Sequence, residues 1–201
     1  MTVEFFFDCS SPWTYLGFHG LRQLADELGV AISWRPILIG GVFNAVNPSV
    51  YHNRDNPVPA KRRYQAKDLA DWARHGGLKI TWVPTIFPVN SVKAMRGCLV
   101  AEGEGKLVAF AQGVFEAYWG EDRDIADDAV LGGIAREAGL DADSFFAAIA
   151  EPEIKNRLRA NTDELMRRGG FGSPTIFVDG DDMYFGNDRL PLVREAILRR
   201  R

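Results

Sequence analysis

Ser10-Ser11-Pro12 follows directly on the apolar run Phe5-Phe6-Phe7 and the carboxylate of Asp8. These types in this order describe a strand that stops and a helix that starts, with a hydroxyl at the junction. Pro12 is pre-set for the first helical position and Ser11 is a preferred N-cap. The free backbone N–H groups of the new helix therefore point outward beside the Ser11 hydroxyl. Anions and thiolates are stabilised in such a place. On local grounds alone, Ser11 is a helix cap.

Other reactive side chains are few. Cys9 and Cys98, the two cysteines, stand far apart and form no C-x-x-C or zinc pattern, which predicts neither a structural disulfide nor a metal site. Cys9 continues the face of Val3, Phe5 and Phe7 and is read as a buried strand residue. His19, His52 and His75 have no ligand spacing, and His52 adjoins Asn53-Arg54. Arg54 is by default a solvated surface arginine, Pro174 an ordinary strand opener, and Asn187-Asp188 a cap before the last helix.

The elements that must position these residues can be read from periodicity. Residues 2–9 are apolar on both faces, as in a strand inside a sheet. A helix follows over 12–28, with Tyr15, Leu21, Leu24, Ala25 and Leu28 facing the core and Gly29 as its stop. Residues 31–39 predict a second strand running into Gly40-Gly41, so the chain opens βαβ with parallel pairing. Four asparagines and three prolines over 42–59 predict a long irregular loop. A helix over 60–75, with Tyr64, Leu69, Trp72 and Ala73 as core contacts, leads to a second loop over 76–90. Further helices fit 91–102, 106–119, 127–138, 141–150 and 153–168. Strands at 174–178 and 183–185 join through Asp179-Gly180-Asp181 as a hairpin, and a helix over 188–200 closes the chain.

The order is therefore an α/β fold with a βαβ start, a long all-helical insertion and a ββα finish. Its parts are one sheet domain made of 1–39 and 153–201, and an insertion domain of 40–152 folding over the ligand-binding end of the sheet. With 201 residues, 46% hydrophobic and 25% charged, the composition is that of an ordinary globular chain without disorder or a membrane span. A formal charge of −3 argues against nucleic acid as a partner, and Arg199-Arg200-Arg201 is a solvated end of the last helix. The chain opens with no basic segment and no small-residue cleavage site, which predicts a cytoplasmic protein.

Five stretches in this order resemble one branch of the thioredoxin fold. They are Phe7-Asp8 to Ser11-Pro12-Trp13, Asn53-Arg54-Asp55, Phe87-Pro88-Val89-Asn90-Ser91, Gly172-Ser173-Pro174-Thr175 and Gly186-Asn187-Asp188-Arg189. The branch holds the DsbA-like oxidoreductases, the kappa-class glutathione transferases and the 2-hydroxychromene-2-carboxylate isomerases, and the similarity to the isomerases spans nearly the whole chain. Redox members begin the first helix with C-P-x-C, where this chain has Ser11-Pro12-Trp13-Thr14, so dithiol exchange has no sulfur to use here. The resemblance implies glutathione as cofactor, with Ser11 as stabiliser of its thiolate. It implies a cis bond at Ser173-Pro174 beside the peptide, and Gly186, Asn187 and Asp188 at the γ-glutamyl end. Asn53 and Arg54 would clamp a substrate carboxylate. The implied activity is glutathione-dependent isomerisation of a small aromatic carboxylate by a homodimer. A kappa-like glutathione transferase and a glutathione- or peptide-binding module without turnover are the alternatives.

Overall fold

A computed structural model describes residues 1–200. Four strands form one mixed sheet in the order β2-β1-β3-β4. Strand β1 (Val3–Phe7) pairs in parallel with β2 (Ile32–Pro36) and antiparallel with β3 (Thr175–Val178), and β3 pairs antiparallel with β4 (Asp182–Phe185). The parallel pair is joined by α1 (Pro12–Leu28), which ends at Gly29 with φ of 60°. Asp179 and Gly180, at φ of 56° and 95°, turn the β3-β4 hairpin, where two successive positive φ values match the twist of the strands.

The first strand is shorter than the expected 2–9. Past Phe7 the backbone leaves the ladder: the Asp8 N–H goes to the Ser173 hydroxyl at 3.2 Å and the Cys9 N–H to Met95 Sδ at 3.3 Å. Cys9 is buried as expected, but in the turn and not in the strand. The second strand likewise ends at Pro36, short of 39, because Ile39 starts a helix.

The expected loop over 42–59 is the main correction. It holds two short helices, α2 (Ile39–Val46) and α3 (Ser49–Asp55), before α4 (Pro59–His75). Gly40-Gly41, read as a turn, lies in the first turn of α2, where buried Ile39 and Val42 anchor the helix and Asp8 accepts the Ile39 N–H. The prolines mark helix beginnings: Pro48 precedes α3 and Pro59 occupies the first turn of α4, positions that need no proline N–H. On α4, Leu69 and Ala73 are buried and Trp72 partly so, whereas Tyr64 is 63% exposed and makes no core contact.

The helical block comprises α5 (Val92–Gly103), α6 (Leu107–Phe115), α7 (Asp128–Glu137), α8 (Ala142–Ala150) and α9 (Pro152–Arg167). The expected stripe of Leu107, Phe110, Ala111, Val114, Phe115 and Tyr118 is buried, although its last turn, Glu116–Gly120, is π-helical. A continuous core carries Phe5, Phe7 and Phe18 through Phe115 to Phe110 and Phe145, so sheet and helical block share one apolar interior. The last helix, α10 (Leu190–Arg199), begins after a 3-10 turn at Asn187–Arg189, and neither Asn187 nor Asp188 caps it through a side chain. Arg200 is bound rather than solvated, donating to Asp182 at 2.8 Å and to the Ala196 carbonyl at 3.1 Å; Arg201 lies outside the described residues. Among the described residues no helix is long and apolar enough to cross a membrane.

Candidate active site

Ser11 caps α1 as its sequence position predicts. Its hydroxyl accepts the Thr14 N–H at 3.2 Å, its carbonyl accepts the Tyr15 N–H at 3.2 Å, and Pro12 fills the first helical position. The hydroxyl also points toward the Ser173 carbonyl at 3.5 Å. Ser173 belongs to the same junction from the far end of the chain. Its own hydroxyl accepts the Asp8 N–H and shares a 2.7 Å hydrogen bond with Thr14, and the Ser173–Pro174 bond is cis. The first helix start and the entry into β3 are thus one structure, held by short polar side chains.

Beneath this junction lies a carboxylate for which local sequence suggests no chemistry. Asp8 is 1% exposed, and both of its oxygens are saturated by donors. Oδ1 accepts the N–H and the hydroxyl of Ser10 at 2.9 and 2.8 Å; Oδ2 accepts the Ile39 N–H at 2.8 Å and the Ser91 hydroxyl at 3.1 Å. Burial raises the Asp8 pKa above the ordinary carboxylate range, while the four hydrogen bonds pull it back down. The signal that could have found Asp8 is an aspartate closing an otherwise apolar buried strand. In the sequence, Ser91 stands out only as the end of the Phe87-to-Ser91 stretch.

A cleft of about 490 Å³ opens above these groups. Ser10, Ser11 and Trp13 form its floor with Asp8 and Ser173. One wall comes from Phe43, Tyr51 and Arg54 on α2 and α3, the other from Trp82, Phe87 and the segment through Ser91. The second wall is fixed from behind: Trp82 stacks on Trp119 with ring centroids 6.2 Å apart, and Trp119 donates to the Cys9 carbonyl at 2.9 Å. The Arg54 guanidinium bridges the walls, 5.8 Å from the Tyr51 ring and 5.6 Å from the Phe87 ring, and forms no ion pair among the described residues. An uncommitted cation at the mouth of an aromatic cleft can take a carboxylate.

The expected site residues divide into three groups. Ser11, Ser173 and Arg54 line the cleft. Pro174 supports it from behind, packed close to Gly17 of α1. Asn53 is exposed and does not line the cleft, because adjacent helical residues point about 100° apart, so a helix that turns Arg54 inward carries Asn53 away. Gly186 and Asp188 sit in the turn between β4 and α10, where Asp188 pairs with Arg189 at 3.1 Å, and neither lines the cleft. Asn187 is buried and lines a different cavity on the flank of α1. Among the described residues no cluster of three His, Cys, Asp or Glu side chains could hold a metal ion.

Known proteins share this architecture and sequence. The DSBA-like thioredoxin domain matches residues 2–198. A 2-hydroxychromene-2-carboxylate isomerase of Sphingobium xenophagum is 33% identical over 199 residues, covering 98% of each chain. Glutathione S-transferase kappa 1 of Homo sapiens is 29% identical over 208 residues, covering 98% of this chain and 90% of that one. A solved 2-hydroxychromene-2-carboxylate isomerase structure superposes with a TM-score of 0.84 at 29% identity, covering 99% of this chain and 95% of the other. A domain match from residue 2 to residue 198 and these full-length likenesses agree: the chain belongs to the DSBA-like thioredoxin domain family, with the 2-hydroxychromene-2-carboxylate isomerases and kappa-class glutathione transferases as its relatives.

Proposed function

We propose that this chain is a glutathione-dependent isomerase of a small aromatic carboxylate resembling 2-hydroxychromene-2-carboxylate. The observation that carries the reading is the meeting, in one aromatic-walled cleft, of the Ser11 hydroxyl at a helix start with the uncommitted Arg54 guanidinium. The isomerases and kappa transferase among its relatives support the same choice.

The groups present suit glutathione. Ser11 and the first turn of α1 favour a thiolate over a thiol. Lowering a thiol pKa from about 8.5 by roughly two units requires about 2.7 kcal/mol. A hydrogen bond to a charged group contributes about 1.5–3 kcal/mol and a helix N-terminus about 0.3–1 kcal/mol. The two together suffice without a metal or a general base. Ser173 and Pro174 stand where an extended peptide can pair beside the sheet. Gly186, the Asn187 main chain and the Asp188 carboxylate are assigned to the γ-glutamyl end, Asp188 receiving its ammonium. When bound, the thiol supplies reversible addition to a conjugated carbon, which turns a double bond into a rotatable single bond until elimination restores it.

Ser11 holds the negative charge at sulfur before addition and again after elimination. Arg54, helped by Asn53 at the rim, pins the carboxylate, so rotation is confined to the rest of the substrate. Trp82 and Phe87 keep the aromatic body dry. The same reading implies a cytoplasmic homodimer.

Isomerisation assays with and without glutathione, on wild type and Ser11→Ala, test this. Glutathione-independent turnover, or an unchanged rate in the variant, would overturn it. The second reading, a kappa-like transferase, is favoured by the human relative and would show as stoichiometric consumption of glutathione. Glutathione binding with neither reaction would leave a binding module.

A further inference from the structure

Asp8 lines the floor of the cleft with Ser10 and Ser11, and its buried carboxylate takes no part in holding either substrate or sulfur. The Ser11 N–H bonds to the Asp8 carbonyl at 3.3 Å, so the residues that carry these groups share one tight turn. Inside that turn the Ser10 hydroxyl donates to Asp8 Oδ1 at 2.8 Å. Ser11 and the start of α1 set how strongly a bound thiol favours ionisation, but neither takes the proton that leaves. On the reading that glutathione binds with its sulfur at Ser11, we propose that Asp8 receives the thiol proton and that the Ser10 hydroxyl passes it on.

The donors around Asp8 define the route. An ionised carboxylate only accepts, and its acceptor sites are filled by the Ser10 and Ile39 N–H groups and by the Ser10 and Ser91 hydroxyls. A backbone N–H cannot reverse its role, whereas a hydroxyl can turn and accept. Ser91 is buried; Ser10 is half-buried and adjoins Ser11, which makes its hydroxyl the reversible contact beside the sulfur. In the hand-over the S–H bond breaks and its proton goes to Ser10 Oγ, while the Ser10 O–H proton goes to Asp8 Oδ1. Sulfur keeps the electron pair that adds to the conjugated carbon. Protonated Oδ1 then donates to Ser10 Oγ and still accepts the Ser10 N–H on its remaining lone pair. After elimination the same steps run backward, and thiol and carboxylate are restored.

Charge favours this acceptor. Among the described residues no cation pairs with Asp8, so a thiolate beside the ionised carboxylate would put two negative charges into one junction. Like charges at one site disfavour each other, and a single proton shared between the two groups removes that conflict. Burial already raises the Asp8 pKa, which brings it toward that of a bound thiol. The neighbouring Cys9 thiol is no competitor: burial first, then Cys98 and the Asp8 charge, push its pKa well up, and it stays protonated. Tyr51 and Arg54, the other titratable side chains of the lining, stand on the α3 wall.

Infrared difference spectra of full-length protein labelled with ¹³C-aspartate test the hand-over. At near-neutral pH glutathione is expected to raise the band of a protonated aspartate carboxyl, together with the ultraviolet absorbance of a thiolate. S-methylglutathione, which has no thiol proton to give, should bind without either signal. Asp8→Asn should lack the carboxyl band. Ser10→Ala should lower the glutathione-dependent rate about 100-fold, and Ser10→Thr, which keeps the hydroxyl, should restore it. If Asp8→Asn loses its fold, the isotope shift assigns the band to aspartate and the two Ser10 variants test the route. Glutathione bound as a thiol, a thiolate without the carboxyl band, the same band with S-methylglutathione, or an unchanged rate in Ser10→Ala would each overturn the relay while leaving glutathione binding in place. No response of Trp13 fluorescence to glutathione would overturn the glutathione reading, and the relay with it.

Discussion

Asp8 and Ser91 are 83 residues apart in sequence and meet beneath the cleft, the Ser91 hydroxyl donating to Asp8 Oδ2 at 3.1 Å. The same carboxylate takes donors from Ser10 and Ile39. One buried group therefore ties the end of β1 to the starts of α2 and α5, and the Ser11 hydroxyl stands on that knot. Four donors converge on two oxygens, so an isosteric amide cannot replace the carboxylate. Asp8→Asn is expected to destabilise the protein by about 1–3 kcal/mol, because its NH₂ group would face other donors. Urea unfolding measures this.

The same residue sets a pH dependence. Its folded pKa is raised above 3.8 by burial, so between the two values the native state binds more protons than the unfolded chain. Stability arising at Asp8 then falls as pH rises through the folded pKa and is recovered on acidification. The amide has no such titration. The stability gap between wild type and Asp8→Asn should widen as pH drops from neutrality through the folded pKa, opposite in sign to a salt-bridged carboxylate.

Ser11→Ala removes a cap and a donor to sulfur. A loss of about 1 kcal/mol in stability is expected from the cap. The glutathione-dependent rate should fall about 10–100-fold, and its pH profile should move to higher pH as the bound thiol becomes harder to ionise. A rate loss without movement of the profile would point to a structural role only.

Arg54 is exposed and makes no ion pair among the described residues, so replacing it should leave folding intact. Arg54→Gln is expected to raise KM for the aromatic carboxylate about 10–100-fold, with Arg54→Lys intermediate because a point charge lacks the planar fork. Steady-state kinetics on both variants, alongside thermal unfolding, separates binding from stability.

Gly17 is a packing test of the site. A Cβ there would stand 2.9 Å from Pro174 Cγ, beside Ser173. Gly17→Ala should cost about 1–3 kcal/mol by overpacking and should weaken glutathione binding by displacing the β3 entry. Trp13, which lines the cleft, reports binding by fluorescence.

Local chemistry in the sequence determined a good part of this protein. Pro12 after Ser11 determined the cap of α1, Gly29 its end, and Asp179-Gly180 the hairpin, because each rests on the conformational preference of one or two residues. Periodicity alone likewise determined the buried stripe from Leu107 to Tyr118. Only the tertiary structure decided the rest. The asparagines and prolines over 42–59 argued for a loop, but burial of Ile39 and Val42 and the bond from Ile39 to Asp8 turned part of it into helix. Helical phase, not residue type, brought Arg54 to the cleft and left Asn53 in solvent. The meeting of Asp8 and Ser91, and the separate cavity that Asn187 lines, depend on contacts between distant segments. A residue's type and neighbours show what it can bond to, whereas the partner it meets across more than eighty residues is set by how the whole core packs.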